Sequence, residues 1–407
     1  MASERAYSIN DCDPPYDFVE VAADPAASEH AVPDEFRDRI LIHTVHDGAH
    51  IPAEFIYDDR GRPRVNERLL ERRFIEERDW GANLVAEKIA VAMGLSGYAR
   101  CRLARVLLDF NRFPGSTPHD DVVRPLETLA INNPFSRVLD HRLKLRLLEG
   151  YYDKISDIIE GKLLRNRVIM IAVHTYDEHN KTMTRRPHCS LLSSVLGYQR
   201  ESRMPFGIFD PMYPDVLGES TCSRILRDRI SLSLERAKYR VSHNHPYPLP
   251  EGSLEVRTQV WYFFNYLRRR FEEVYPETRQ DPTFELVWTM LMNTNLRLQE
   301  AEMLRSYLHR FRRVHPDEVG KYEAAQRAYG KIERYLEGSD VTLAFRLDKN
   351  RPSSLGLEVR KDLVCSFDKK SGKPIEASER QVAHATAIGQ TIAQAIKTYF
   401  ETDYEYL

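Results

Sequence analysis

The spacing of apolar residues divides the first half of the chain into short buried strands separated by helices. Three compact apolar runs rich in β-branched residues predict strands, and two longer stretches repeat their apolar residues at helical spacing. Elements that alternate in this way are typical of an α/β fold with a mainly parallel or mixed sheet flanked by helices. The predicted strands lie at 39–45, 104–110 and 167–173, and the predicted helices at about 79–93 and 137–163.

The second half of the chain has a different pattern. Residues 261–338 are helical and charged, and Pro316, which two acidic residues follow, marks the start of one helix. A β pattern returns at 341–345 and 356–360, and a final helix is predicted at about 379–400. We therefore divide the chain into an N-terminal extended arm (1–36), an α/β domain (37–260 and 339–407) and a helical insertion (261–338).

Composition and charge exclude several classes of protein. Apolar residues make up 42% of the 407 positions and aromatic residues 10%, which is enough to build a core. The 59 Lys and Arg residues are balanced by 61 Asp and Glu residues, so the net charge is -2. A nucleic-acid partner is therefore not expected, because such binding relies on an excess of positive charge.

Cysteine usage and hydropathy indicate the compartment. The five cysteines are far apart and no two form a CxxC pair, which argues against a disulfide framework and a Cys-ligated zinc ribbon. The first residues lack the layout of a signal peptide, and no stretch approaches the roughly 18 apolar residues of a membrane span. We expect a cytoplasmic protein with no membrane partner, and the pattern leaves the oligomeric state open.

Two histidines follow predicted strands, His46 after the first and His174 after the third. A single histidine in such a place is usually a polar residue that the backbone satisfies. Two of them at the carboxyl ends of parallel strands, where ligands bind, favour a metal site. Catalytic zinc takes about three N or O ligands and keeps one position open. Asp79 is the candidate third ligand, although spacing alone favours its role as the N-cap of a helix.

A basic and polar cluster lies in and after the second predicted strand. Arg105, Asp109 and Asn111 alternate toward one side of that strand, and Arg112 follows at its end. The rigid fork of arginine matches a carboxylate, and asparagine adds donors beside it. The cluster therefore predicts a binding site for a small carboxylate-bearing substrate. An ion pair between Asp109 and an arginine that stabilises the edge of the sheet is an equally good interpretation.

Glu358 lies in an apolar run that otherwise predicts a buried strand. A carboxylate in such a place needs a partner or a function. Arg360 is the candidate partner. The functional alternative is a general base that deprotonates a metal-activated water.

Taken in chain order, these segments resemble the N-formylglutamate amidohydrolase family. The likeness spans roughly 37–260 and 340–400 and skips the helical insertion. A loop further along fits the family's Asn-x-Pro-aromatic segment with Asn244, Pro246 and Tyr247, and we expect it to form a wall of the substrate pocket. The other blocks are His46-Asp47-Gly48 through Pro52, Glu77-Arg78-Asp79-Trp80, Ala104-Arg105 through Asp109-Phe110-Asn111-Arg112, Val173-His174-Thr175 and, more weakly, Leu357-Glu358-Val359-Arg360 followed by Asp362-Leu363.

The resemblance implies a fold similar to zinc exopeptidases and carboxypeptidases, with one catalytic zinc per chain in the α/β domain. It also implies the role of each site residue. The metal ligands would be His46, Asp79 and His174; the clamp on the substrate's carboxylate would be Arg105, Asn111 and Arg112, with Asn244 in the pocket wall; and the base and proton shuttle would be Glu358.

This chain departs from the family pattern at several positions. Asp47 replaces Ser, Val45 replaces Pro, and Thr175-Tyr176 replaces Ser-Met, while the helical insertion is large. Asp47 is thus a candidate additional ligand, and His243 and His245 are candidates for a second metal, although histidines two apart in a loop are more often bystanders. Three hypotheses follow: an N-formyl or N-acyl amino acid amidohydrolase, the same scaffold acting on a peptide or specialised metabolite, and a non-catalytic binding protein.

Overall fold

The sheet of the protein is mixed and has helices on both faces, which confirms the predicted α/β class. The computed structural model describes residues 5–10, 12–22, 29–112, 114, 130–158, 168–195, 210–250, 252–294, 299–310, 313–368, 370 and 372–404. The strands are β1 (Tyr16–Glu20), β2 (Ile40–Thr44), β3 (Gly97–Cys101), β4 (Ile169–Tyr176), β5 (Cys189–Leu192), β6 (Val241–His243), β7 (Ser353–Arg360), β8 (Ser366–Phe367) and β9 (Pro374–Ile375).

Seven strands form the main sheet in the order β1-β3-β2-β4-β7-β5-β6, and β8 pairs with β9 in a small ribbon. The central strands β3, β2, β4 and β7 run parallel. The edge strand β1 is antiparallel to β3, and β5 is antiparallel to β7. Neighbouring parallel strands therefore bring their carboxyl ends to one edge of the sheet, where His46 follows β2.

Helices cover both faces of this sheet. They are α1 (Asp34–Arg37), α2 (Ala53–Ile56), α3 (Glu67–Glu77), α4 (Ala82–Met93), α5 (Phe135–Val138), α6 (His141–Leu147), α7 (Lys154–Ile158), α8 (Asp215–Gly218), α9 (Arg224–Arg236), α10 (Leu254–Val274), α11 (Pro282–Met292), α12 (Gln299–Arg310), α13 (Val319–Gly338), α14 (Val341–Leu347) and α15 (Glu379–Thr402). The last helix confirms the prediction for 379–400, and its capping box is built by Ser378 and Gln381.

The alternation of side chains along the central strands separates two apolar cores. On β4, Ile169, Ile171 and Val173 face one core, which α4, α9 and α15 complete. Met170 faces the other core. His174 shares the parity of Met170 and therefore projects on the same side. The carboxyl ends of β2, β4 and β7 thus present their polar residues toward the second core.

The strand predicted at 104–110 is wrong. This segment forms consecutive turns, in which the N–H groups of Leu107 and Leu108 both donate to the carbonyl of Ala104. Its apolar side chains are nevertheless buried. A short apolar run is equally compatible with a buried strand and a buried loop, and the neighbouring strand β3 lies a few residues earlier.

The strand predicted at 341–345 is also wrong, because these residues form helix α14. Val341 and Phe345 are buried four residues apart, whereas Leu343 between them is exposed. This burial follows helical spacing, with one apolar face turned toward α10. Five residues were too few to distinguish the two periods.

Three further boundaries differ from the predictions. The arm contains a strand, β1, which completes the edge of the sheet next to β3. The helix predicted at 137–163 is interrupted, because Asp140 caps a new helix and a π-helical turn follows at Leu148–Asp153. Its last residues, 159–163, lie outside the described part of the chain. Strand β4 continues to Tyr176, so His174 lies within the strand and not at its end.

The helical insertion packs around a third apolar core, to which Leu192 and Leu249 from outside 261–338 also contribute. Phe263, Trp288 and Ile332 from α10, α11 and α13 lie at its centre and are fully buried. Helix α10 begins at Leu254 and so crosses the predicted boundary at residue 261. The helix predicted from Pro316 starts with a 3-10 turn, Pro316–Glu318, and continues as α13. Among the described helices, none combines the length and the apolar character needed to cross a membrane.

Candidate metal and substrate site

His46, Asp79 and His174 converge in the interior at the carboxyl ends of the parallel strands. All three are buried, and one ligand atom of each lies within 4.8 Å of the other two. Oδ2 of Asp79 is 3.4 Å from Nδ1 of His46 and 2.9 Å from Nδ1 of His174. The structure therefore brings together the three residues that the resemblance implied as ligands, and we refer to His46, Asp79 and His174 as the ligand group.

The loop that carries Asp79 is fixed by its backbone. The amide of Asp79 donates to the carbonyl of His46 at 3.1 Å, which joins the two loops directly. Gly81 adopts a φ of 88° and is itself the N-cap of α4, so the interpretation of Asp79 as the helix cap is wrong. A Cβ at Gly81 would also lie 2.7 Å from the side chain of Val364, so this turn requires glycine on two grounds.

Asp109 orients the first histidine. Nε2 of His46 lies 2.7 Å from Oδ1 of Asp109, and this carboxylate accepts a hydrogen bond from Nε2–H. Nδ1 of His46 then carries a lone pair directed toward Asp79 and His174. Burial opposes the charge on Asp109, but Arg105 and His46 outweigh it and hold its pKa well below the ordinary value. A carboxylate behind a metal-ligating imidazole is the usual way to fix its tautomer.

Asn111 plays the same role for the second histidine. Its side-chain amide lies 3.3 Å from Nε2 of His174, with the nitrogen placed toward the ring. Its Oδ1 is buried and has no partner among the described residues. Rotating the amide by 180° places Oδ1 against Nε2, which satisfies both groups and leaves the lone pair on Nδ1 of His174.

The donor set fits a divalent metal. Bond lengths of about 2.0–2.1 Å in a tetrahedral site place neighbouring ligand atoms about 3.3 Å apart. The two observed separations from Oδ2 of Asp79, 3.4 and 2.9 Å, bracket that value. Both imidazoles are held from behind, at Nε2, by polar side chains. The chemistry of two histidines and one carboxylate suits zinc and also other first-row metals.

Asp47 does not belong to this donor set. Its carboxylate accepts from Nε of Arg78 at 2.6 Å and from the amide of Asn83 at 2.9 Å. These bonds fix the start of α4, behind the ligands. The hypothesis that Asp47 is an additional ligand is therefore not supported.

The nearby Gly48 allows the chain to pass close to Leu103, whose carbonyl oxygen would lie 2.1 Å from a Cβ at Gly48.

Arg105 and Arg112 differ in how much of each guanidinium group remains available to bind a substrate. Arg105 donates to Asp109 and to Asp79, both at 3.2 Å, and its side chain is 29% exposed. Arg112 makes one contact of 3.3 Å to Asp109, and its side chain is 47% exposed. The ion pair predicted as the alternative is thus present. Arg105 thus bonds to two carboxylates of the site, whereas Arg112 bonds to one and is about half exposed.

Glu358 projects from β7 beside His174, its partner in the register of β4 and β7. The hydroxyl of Tyr247 donates to Oε1 at 2.5 Å, and Oε2 is buried with no hydrogen-bond partner in the described ranges. Burial raises the pKa of Glu358. Arg360, the candidate structural partner, instead forms a bidentate pair with Asp362, so that interpretation is wrong.

Asn244 is not placed in the cavity. Its Oδ1 accepts from the amides of Ser193 and Ser194 at 2.8 and 3.0 Å, and its backbone has a φ of 50°. The residue therefore holds the loop against the end of β5, and Tyr247 presents the side chain to the cavity. His243 and His245 are exposed, and among the described residues only His46, Asp79 and His174 form a cluster of metal-binding side chains.

A cavity of about 310 Å³ opens over the ligand group. Glu255, in the first turn of α10, lines it and is absent from the residues predicted from the sequence, because the predicted helical segment starts only at 261. A carboxylate so close to the start of an apolar helix was the available signal. The lining residues are His46, Arg105, Asp109, Asn111, Arg112, His174, Leu192, Tyr247, Pro248, Leu249, Pro250, Glu255 and Glu358.

Metal binding is expected to weaken as the pH falls. Burial opposes protonation of His174, but the hydrogen bond to Asp79 outweighs it and raises the pKa of His174 to about 9. In the metal-free protein the proton on Nδ1 is therefore present below pH 9, and a metal must displace it. The apparent affinity should rise by up to about tenfold per pH unit between pH 7 and 8. Competition with a chromophoric chelator, corrected for its own titration, measures this, and equal affinities at the two pH values would contradict it.

The family model of N-formylglutamate amidohydrolases matches residues 38–272, more than half of the chain. The chain belongs to the N-formylglutamate amidohydrolase family, which makes it a hydrolase of small molecules. The match includes the three residues of the ligand group and ends before Glu358.

Two solved structures are similar to the chain at low sequence identity. One is the gene product Atu2144 from Agrobacterium tumefaciens, at 15% identity and a TM-score of 0.42, with 89% of this chain and 92% of that chain covered. The other is an N-formylglutamate amidohydrolase from Ralstonia eutropha JMP134, at 13% identity and a TM-score of 0.46, with 95% and 98% covered. No curated protein sequence matches the chain.

Proposed function

We propose that this chain is a metal-dependent amidohydrolase that cleaves the amide bond of an N-formyl or N-acyl amino acid with a free, glutamate-like carboxylate. The observation that carries the proposal is the convergence of Nδ1 of His46, Oδ2 of Asp79 and Nδ1 of His174 on one buried point. The Nε2 atoms of both imidazoles are held from behind by Asp109 and Asn111. We further propose that the metal is zinc, with one ion per chain.

The three ligands leave one side of the group facing the cavity. A divalent metal bound by them would supply Lewis-acid polarisation of the scissile carbonyl and would lower the pKa of water toward about 7. Arg105 bonds to both Asp79 and Asp109 and so keeps the two carboxylates ionised and in place. The cavity shields these groups from bulk solvent, which strengthens each electrostatic interaction.

Glu358 is the proposed general base. Its free Oε2 accepts a proton from the attacking water and returns it to the leaving nitrogen, while Tyr247 holds Oε1. The raised pKa of Glu358 is closer to neutral pH, where a group that both takes and gives a proton is most effective.

Arg112 is the proposed anchor for the substrate's carboxylate. It lines the cavity, is half exposed, and has donors that Asp109 does not use. Arg105 and Asn111 complete the clamp from the side of the ligand group. When two or more donors hold the substrate's carboxylate, its amide carbonyl is oriented for attack. This orientation removes much of the entropic cost of the reaction. Asn244 contributes by fixing the loop that carries Tyr247.

The proposed location is the cytoplasm. Cys101, Cys189, Cys222 and Cys365 are buried and form no disulfide within the part of the chain that the structure describes. Unpaired, inaccessible thiols suit a reducing compartment and argue for a structural use of cysteine.

Turnover of N-formylglutamate tests the proposal. Formate and glutamate release are measured on metal-loaded protein, after treatment with a chelator, and after metal is added back. We expect activity that the chelator removes and metal restores. A panel that replaces the formyl group by larger acyl groups, and the carboxylate by its amide, locates the preferred substrate. Unchanged activity after verified metal removal would contradict metal dependence, and preference for amide-blocked substrates would contradict the carboxylate anchor.

A further inference from the structure

Glu255 is a fully buried carboxylate on the wall of the substrate cavity. Neither Oε1 nor Oε2 has a hydrogen-bond partner in the part of the chain that the structure describes. A buried charge without a partner is costly, and glutamate is almost never found fully buried unless it is paired. Such a group in a cavity indicates that its partner arrives with the ligand.

The position of Glu255 is fixed by the start of α10 and by β7. The side chain of Ser253 caps the helix at the amide of Val256, which places Glu255 in the first turn, where the helix dipole stabilises negative charge. A Cβ at Gly356 would lie only 3.3 Å from Oε1 of Glu255. The absence of a side chain at Gly356 thus makes room for this carboxylate against β7.

The cavity therefore has a basic side and an acidic side. Arg105 and Arg112 approach from the loop that follows β3, next to the ligand loop after β2. The carboxylate of Glu255 lies over Gly356 of β7. Gly356 and Glu358 are two residues apart and therefore lie on the same face of the sheet. In the strand order, β4 with His174 lies between these two sides.

We propose that Glu255 binds a cationic group of the substrate, so that the enzyme selects an N-acyl amino acid carrying an ammonium group in addition to its carboxylate. This inference rests on the proposed function of the site. N-Formylglutamate offers two carboxylates and no cation, so it would leave Glu255 without a partner. An ammonium group supplies up to three donors, which can satisfy both oxygens of Glu255. The apolar walls at Leu192 and Leu249 exclude water and strengthen the pair.

A substrate panel of similar length and different charge tests this proposal. Nα-formylornithine and Nα-formyllysine carry an ammonium group, Nα-formylglutamine is neutral, and N-formylglutamate is anionic. A dipeptide of glycine and glutamate places the ammonium group on the acyl side instead. We expect a cationic member to have the highest kcat/KM. In the Glu255→Gln variant its kcat/KM should fall about tenfold, the difference between a charged and a neutral hydrogen bond, with the neutral substrate little changed.

Two further measurements separate the possible failures. Glu273→Gln, an exposed position at the far end of α10, is the matched control and should change no substrate. Calorimetric binding of Nα-formylornithine, Nα-formylglutamine and N-formylglutamate to the metal-loaded Glu358→Gln variant reports the side-chain charge preference with little turnover, and Nα-formylornithine should bind most tightly. Turnover of formyl substrates with no preference for the cation, and no effect of Glu255→Gln, would overturn this inference alone. Absence of all turnover overturns the proposed function, and the binding order then decides the role of Glu255.

Discussion

The His46→Ala, His174→Ala double variant is expected to lose its metal and its hydrolase activity while remaining folded. Both imidazoles direct Nδ1 at Oδ2 of Asp79, so removing them leaves one carboxylate of the donor set. Lewis-acid catalysis is worth several kcal/mol, and each 1.4 kcal/mol is a factor of ten, so kcat/KM should fall by at least about 10³-fold. Metal content and formate release on the same samples measure both effects.

The matched control removes two histidines that lie on the surface, away from the site. His179 and His315 are exposed and lie outside the cavity, so the His179→Ala, His315→Ala variant should keep metal and activity. Circular dichroism confirms that each variant is folded. Full activity in the His46→Ala, His174→Ala variant would show that these histidines are not required for the reaction.

The Glu358→Gln variant is expected to keep its metal and to lose kcat. Glutamine preserves the shape of the side chain and an acceptor for Tyr247, but it cannot take a proton at the position of Oε2. General base catalysis typically contributes 10²–10⁴-fold, so a decrease of about that size is expected in kcat, with a small change in KM. Steady-state kinetics at several pH values and metal analysis provide the measurement.

Tyr247→Phe is the control for this second variant. It removes the hydroxyl that holds Oε1 and leaves the carboxylate in place, so its effect on kcat should be smaller than that of Glu358→Gln. A Glu358→Gln variant with wild-type kcat would exclude Glu358 as the base. A loss of metal in the same variant would instead show that the carboxylate supports the ligands.

The sheet and the two histidines could be predicted because apolar strands and strand-end polar residues leave clear patterns. The apolar runs of β4 and β2 are visible in the sequence, and every residue of both strands is buried. Asp79 could not be assigned in this way. Its place next to a helix start is equally typical of a cap, and only the resemblance to a family favoured a ligand. The positive φ of Gly81, which makes that glycine the cap, is a property of the folded backbone.

The errors have physical causes that short-range patterns do not report. The segment 104–110 is buried by tertiary packing without pairing in the sheet, and 341–345 is too short to reveal the period of a helix. The sequence predicts Asn244 in the wall of the substrate pocket, whereas its Oδ1 accepts from the amides of Ser193 and Ser194, about 50 residues away. Glu255 was missed because its lack of partners depends on contacts that only the three-dimensional structure determines.

Metal content tests the central claim most directly. Untagged protein is purified without chelator, and zinc, iron, cobalt and nickel per chain are measured by elemental mass spectrometry. We predict about one zinc per chain, as a single catalytic centre with three protein ligands requires. Folded protein that contains no metal and binds none when zinc is added would contradict a metal site at His46, Asp79 and His174, and with it the proposed mechanism.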